Sequence, residues 1–272
     1  MNDIRPVTPA SAAAIADLLR RAGFGSTVGR LLDFPLADDH GIVFAAGDPQ
    51  RPVGTASCAS FGATGWIGAL GVEPAARRHG LGTALTQACI AWLRERGAQT
   101  VLLYATEAGR PIYERLGFVG QGTATAWRGQ APAPGDTTLR PLRESDRDAV
   151  IALDRELTGE RRDPVLDAVR PLRGLCRANG DAALDGYAVA SVWGAGVAIV
   201  AREPTAGMAL LSAACSASGP ATVIVPDTNE PARAAMSRWT FTRYNTATRM
   251  HLGPPPVADQ SHTFGLFNLF WG

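Results

Sequence analysis

Apolar positions along this chain recur with two periods, and each change of period marks an element boundary. Ile4–Val7 is a short strand candidate, and about Ser11–Arg21 apolar residues fall at helical spacing before a second helical segment. Three strands follow at about Gly41–Gly47, Val53–Phe61 and Trp66–Val72, separated by the turn signals Asp48-Pro49 and Gly62–Gly65. A helix over Leu81–Arg96 carries Leu85, Ala88, Cys89, Trp92 and Leu93 on one face and ends at Gly97. A strand at Thr100–Ala105, a helix at Arg110–Leu116 and a strand from Phe118 complete the first half. Three strands and then strand–helix alternation imply an α/β (α+β) fold with a mixed sheet, antiparallel early and with a parallel crossover later.

After Arg128 the stretch 129–138, rich in Pro, Gly and Ala, suits a linker between units at 1–128 and 139–272. The chain then restarts. Leu139-Arg140-Pro141-Leu142 resembles Ile4-Arg5-Pro6-Val7, with a helical pattern over Glu144–Leu157 after it. Thr123-Ala124-Thr125 returns as Thr246-Ala247-Thr248, and Gly82-Thr83-Ala84-Leu85 lines up with Gly207-Met208-Ala209-Leu210. Several matches in one order argue for a diverged duplication, two tandem units of one plan.

Composition narrows the picture. In 272 residues with a formal charge of +1, nothing points to nucleic acid or a membrane surface, and no apolar run reaches membrane-spanning length. All 26 basic side chains are arginine, which excludes lysine Schiff-base or lysine general-base chemistry. The scattered Cys58, Cys89, Cys176 and Cys215 read as buried thiols and not as metal ligands, so no metal is expected. A cytoplasmic protein, monomer or homodimer, is the expectation.

The segment from Val72 to Leu85 carries the chemistry. It joins an apolar strand to an amphipathic helix through a turn holding Arg77, Gly80 and Gly82. Glycines there let successive amides face one concavity, and a helix N-terminus adds unsatisfied amides and about half a positive charge. Such a turn suits a pyrophosphate; Gly-x-Gly alone favours an arginine-rich surface turn with a glycine cap. The spacing Arg77-x-x-Gly80-x-Gly82, and Tyr113-Glu-Arg-Leu-Gly117-Phe118 further on, together resemble the two signatures of the GNAT N-acetyltransferase superfamily. The stretch from Ala105 to Tyr113 is similar to tandem, YitH-like bacterial acetyltransferases.

The resemblance implies acetyl-CoA as co-substrate, with the pantetheine arm against backbone groups near Leu70 and Val72. Its pyrophosphate would sit on the amides of Arg77, Arg78, His79, Gly80, Leu81, Gly82 and Thr83. Thr106 stands where many relatives carry Asn, and Arg110 completes the cofactor-binding set. Tyr113 should face the departing sulfur, hydrogen-bonding a thiolate more than donating its proton outright. Glu107 is the candidate base, or else a solvated turn residue; His79 is an anion contact or simply exposed. Trp66 either walls the acceptor pocket or is an ordinary packed aromatic. In the second half the loop is stripped, Met236 replaces the tyrosine, and Asn229 keeps the Asn position. Asp154, Glu160 and Arg161 there are candidates for selecting a polar substrate, or a charged helix end. The aromatic tail Phe264–Trp271 reads as a docking strand or plug, or as a partner contact. The implied activity is acetyl transfer to a primary amine of a small molecule, with an acyl-CoA sensor or a protein N-acetyltransferase as alternatives.

Overall fold

The computed structural model describes residues 3–136, 138–179, 183–194, 196–216, 219–258 and 260–272; Thr137, within the expected linker, lies outside them. It divides into two compact units that interleave along the chain. The first comprises Met1–Gly120, Met250–Pro255 and Leu269–Trp271; the second comprises Gln121–Arg249, Pro256–Asn268 and Gly272. Residues 121–128, read above as the end of the first half, therefore lie in the second unit.

The first unit begins with β1 (Ile4–Pro6), α1 (Ala12–Arg21) and α2 (Asp33–Ala37), and then runs through β2 (Gly41–Asp48), β3 (Arg51–Phe61) and β4 (Thr64–Val72). After these come α3 (Leu81–Glu95), β5 (Thr100–Ala105) and α4 (Arg110–Arg115). The strands pair in the order β1-β2-β3-β4-β5, antiparallel until β4 meets β5 in parallel, so the expected mixed sheet is present.

The period-2 alternation of the strands splits the apolar residues between two faces. Phe44, Cys58, Ile67, Val101 and Leu103 pack with Leu85, Cys89, Leu93 and Tyr113 of α3 and α4. Val43, Ala45 and Ala69 pack with Ile15, Leu19 and Leu32 on the α1 side. Returning chain completes both layers: Met250 joins the first cluster, and Phe270 packs against the second, beside Phe24 and over Gly68.

The second unit repeats the plan. β7 (Leu139–Pro141), α5 (Arg147–Thr158), α6 (Asp163–Ala168), β8 (Gly174–Asn179), β9 (Ala183–Ala190) and β10 (Val197–Ala201) come first. They are followed by α7 (Pro204–Ser216), β11 (Ala221–Pro226) and α8 (Glu230–Arg238). The strand order is β7-β8-β9-β10, and β10 is then flanked by β13 (Thr263–Gly265), a strand from the C-terminal segment. β11 pairs antiparallel with β6 (Val119–Gly129) over Ala124–Gly129. The last long strand, β12 (Thr242–Leu252), contributes residues up to Arg249 here. Ile199, Leu210, Leu211, Val223, Met236, Phe241 and Phe264 form this unit's core.

All four cysteines are free and buried, and among the described residues no group of His, Cys, Asp or Glu is placed to hold a metal ion. Among the described residues no helix is long and apolar enough to cross a membrane. Leu85, fully buried beneath the start of α3, anchors that helix to the sheet. Leu85→Ala should cost about 2–5 kcal/mol of stability, read as a lowered denaturant midpoint. An unchanged midpoint would mean α3 is held by other contacts.

Candidate active site

The site is built where β4 ends. β4 and β5 pair in parallel from Thr64 and Thr100 only as far as Ile67 and Leu103, although β4 continues to Val72. Just past the last pair β4 bulges. The β3 register shifts so that Ser57 faces Gly68 while Thr55 faces Gly71, and Ala69 takes a left-handed φ of 48°. A bulge leaves an extra residue outside the ladder and bends its strand. Here the bend falls where β4 and β5 part, so backbone groups around Leu70 have no β5 partner to bind. Leu70 and Val72 are half-buried along this edge.

The loop after β4 turns twice through left-handed backbone, at Arg78 (φ 68°) and at Gly80 (φ 78°), which is the N-cap of α3. No side chain caps the helix. The Gly80 carbonyl accepts from Ala84, and the amides of Leu81, Gly82 and Thr83 precede the first intrahelical donor. Successive amides with alternating backbone handedness form an anion-binding concavity, and the fifteen-residue helix behind it adds its positive end. Arg78, His79 and Gly80 are exposed.

Arg77 does something more specific than supply charge. Its Nε donates to Val72 O at 3.0 Å and its Nη2 donates to Ala22 O at 3.1 Å, tying the loop to the end of β4 and of α1. Across from the loop, a Cβ on Gly82 would stand 3.2 Å from Ile112 Cδ1, so the glycine keeps the approach to the amides narrow but open.

In the turn before α4, the carbonyl of Thr106 accepts from Gly109 and Arg110 at 3.0 and 2.9 Å, and the Thr106 Oγ1 accepts from Gly109 N at 3.2 Å. The hydroxyl hydrogen remains for another acceptor. Arg110 forms a surface ion pair with Glu114 at 2.6 Å, and Glu107 is exposed beside Thr106. Tyr113 is 7% exposed, edge-on to Phe118 at 5.8 Å. Burial, and then the neighbouring Cys89, push its phenol above the ordinary value, so it stays neutral and able to donate at physiological pH.

On the opposite face of the sheet, Trp66 stacks on Tyr104 with ring centroids 5.4 Å apart. Trp66 is 1% exposed and presents almost no surface, whereas Tyr104 is half-buried. Tyr104 belongs to none of the motifs in the sequence. Its signal was the alternation in β5, where Val101, Leu103 and Ala105 face α3 and leave Tyr104 on the Trp66 side.

In the second unit Asp154 is fully engaged. Its carboxylate accepts from Arg162 Nη2 at 2.5 Å and Nε at 3.1 Å, and from the Tyr187 hydroxyl. Burial, and then the Asp154 carboxylate, push the Tyr187 phenol well above its usual value. Glu160 is buried, whereas Arg161 faces solvent. Asp154 is thus held by Arg162, while Arg161 stays at the surface.

A bulged, parting strand pair followed by an uncapped glycine helix start is the arrangement this unit presents, and comparison with known proteins gives its class. Residues 13–118 match the family model described as "Acetyltransferase (GNAT) family", and residues 150–265 match "Acetyltransferase (GNAT) domain". The chain therefore belongs to the GNAT acetyltransferases as a tandem-domain member.

Among curated proteins it is similar to the mycothiol acetyltransferase of Geodermatophilus obscurus, 42% identical over 24% of this chain and 22% of that one. The mycothiol acetyltransferase of Acidothermus cellulolyticus is 37% identical over 32% of this chain and 29% of that one. The matched segments thus span well under a third of those relatives. Among solved structures, a Pyrococcus horikoshii protein described as an acetyltransferase matches with a TM-score of 0.85, at 21% identity over 99% of this chain and 95% of that one. A GCN5-related N-acetyltransferase from Sphaerobacter thermophilus gives a TM-score of 0.67 at 17% identity, over 94% and 96% of the two chains. These two structures share the fold.

The Asp154–Arg162 assignment has a direct check. Arg162→Met strands a buried carboxylate and should cost about 3–5 kcal/mol in chemical denaturation. Arg161→Met should stay within about 0.5 kcal/mol of the native protein. Equal effects of the two variants would contradict the assignment.

Proposed function

We propose that this protein is an N-acetyltransferase that moves the acetyl group of acetyl-CoA to a primary amine of a small molecule, using the first unit. One observation carries the reading: the uncapped amides at Leu81–Thr83 follow directly on the strand edge that β5 abandons. A diphosphate and an extended amide-bearing arm need those two features in that order.

The residues present fit such a co-substrate. Amides from Arg78 to Thr83 would hold the pyrophosphate, with Arg77 bracing the loop from behind. The free edge of β4 near Leu70 and Val72 would accept the pantetheine amides, and Thr106 has a hydroxyl hydrogen to offer. Acetyl-CoA, when bound, supplies an activated thioester that an amine attacks directly.

Tyr113 is the proton-holding group. A phenol with a raised pKa is a poorer acid than a thiol near 8.5, so full transfer from it runs uphill. It serves by hydrogen-bonding developing negative charge. Glu107, exposed at the head of α4, is the candidate base for an amine that must lose a proton. The half-buried Tyr104 and the Phe24–Phe270 pair supply aromatic surface on the other face of the sheet for an acceptor. The names of the curated relatives put mycothiol-type acceptors on the panel to test, beside amino acids. An intracellular, metal-independent enzyme handling one small acceptor completes the reading.

Turnover tests it. Free thiol release from acetyl-CoA over an amine panel should be measurable in the native protein, and Tyr113→Phe should lower kcat by about 10- to 1000-fold. Acetyl-CoA binding without turnover on a broad panel would favour a sensor instead. Separately, Gly82→Trp fills the approach to the helix amides and should weaken acetyl-CoA at least about 100-fold, equivalent to roughly 2.7 kcal/mol. Unchanged affinity would remove the loop from the site.

A further inference from the structure

The two units share an element order, and the second keeps counterparts of the elements that flank the first unit's groove. β10, α7, β11 and α8 take the places of β4, α3, β5 and α4. Gly207 in α7 stands at the position of Gly82, and Asn229, seven residues before Met236, stands at the position of Thr106 before Tyr113. What differs is the strand beside β10. In the first unit β4 lies next to β5; in the second, β10 lies next to β13, which comes from the end of the chain.

We propose that Ser261–Phe267 is a built-in occupant of the second unit's cofactor groove, an extended peptide held where the first unit would hold a pantetheine arm. Four independent contacts support this. β13 pairs antiparallel with the last residues of β10, Ile199 with Gly265 and Val200 with Thr263. These are the counterparts of the β4 residues just before the loop. On the other side, Leu266 N donates to Ile224 O of β11 at 3.0 Å, so the segment bridges the two strands that would otherwise part.

Asn229, in the position that a GNAT site uses toward the pantetheine, donates from its Nδ2 to Ser261 O at 2.8 Å and to Thr263 O at 3.0 Å. Its Oδ1 accepts from Ala232 N at 3.1 Å, capping α8. Finally, the ring of Phe264 rests on Gly207, where any Cβ would stand 2.2 Å from Cε2. The glycine retained from the ancestral loop now makes room for an aromatic ring of the chain itself.

Each of these contacts has a counterpart in ligand binding: backbone pairing, an amide on the ligand carbonyls, and a glycine at the close approach. A peptide presents the same alternation of amide N–H and C=O as a pantetheine arm. The stripped loop is then a consequence. With a neutral occupant supplied in cis, nothing selects for a pyrophosphate cradle, and the chain takes up one acyl-CoA in all.

The test uses the full-length protein and does not depend on turnover. In amide hydrogen exchange, the peptide covering Ser261–Phe267 should be protected in the native chain, and adding acetyl-CoA should leave that protection unchanged. Asn229→Asp keeps an acceptor for Ala232 N but loses both donors to the tail. It should speed exchange of Ser261–Phe267 at least about tenfold, with the first unit's peptides unaffected. Gly207→Leu should do the same by displacing Phe264; if that variant does not fold, Asn229→Asp alone decides. Equilibrium dialysis should find one acetyl-CoA per native chain. A tail that exchanges freely in the native protein, an unaltered tail in Asn229→Asp, or a second acetyl-CoA bound with release of the tail would each overturn the proposal.

Discussion

Everything in the first unit's site follows from how briefly β4 and β5 stay together. Parallel pairing ends at Ile67 and Leu103, the bulge at Ala69 turns the strand at that point, and the free edge of β4 runs straight into the loop before α3. A sheet normally satisfies its backbone groups with a neighbouring strand. Here the neighbour is withdrawn over the stretch that precedes an uncapped helix. The result is a strand edge without its parallel neighbour that leads into a positively polarised turn, the two features on which the proposed acetyl-CoA site rests.

The same architecture in the second unit meets the same requirement differently. Where strands part, something must fill the gap, because unpaired buried backbone groups are costly. The C-terminal segment fills it, pairing with β10 and reaching β11, with Asn229 and Gly207 turned to its service. The two units therefore differ at this place: β13 lies beside β10, and the edge of β4 beyond Ile67 has no β5 neighbour. Asp154, Arg162 and Tyr187 belong to the same economy: a buried charge cluster that is complete within itself and so holds the second unit's α5–α6 connection in place.

Much of this was legible in the amino-acid order. Periodicity placed the strands and helices of the first half to within a residue or two, because Leu85–Leu93 and Val101–Ala105 present unmixed helical and strand patterns. The loop was visible through Gly80 and Gly82, residues whose backbone role shows in their identity. Other features left no local trace. Ala69 adopts a left-handed conformation that alanine does not advertise, so the bulge was invisible. β6 alternates like any strand, and nothing in Thr123–Trp127 says that its partner will be β11. That Arg162 is the arginine buried against Asp154 also left no local trace, because burial of an arginine depends on where the chain folds back and not on its neighbours. The tail read as a strand or a plug, but its position beside β10 is a long-range property.

In the proposed function the amides from Arg78 to Thr83 receive the pyrophosphate of acetyl-CoA. Backbone amide chemical shifts of the labelled full-length protein, recorded as acetyl-CoA is added, test it most directly. Large, saturable shifts are expected at Arg78 to Thr83 together with Leu70 and Val72, with little change near Gly207. Saturable binding that leaves those loop amides unmoved would contradict it.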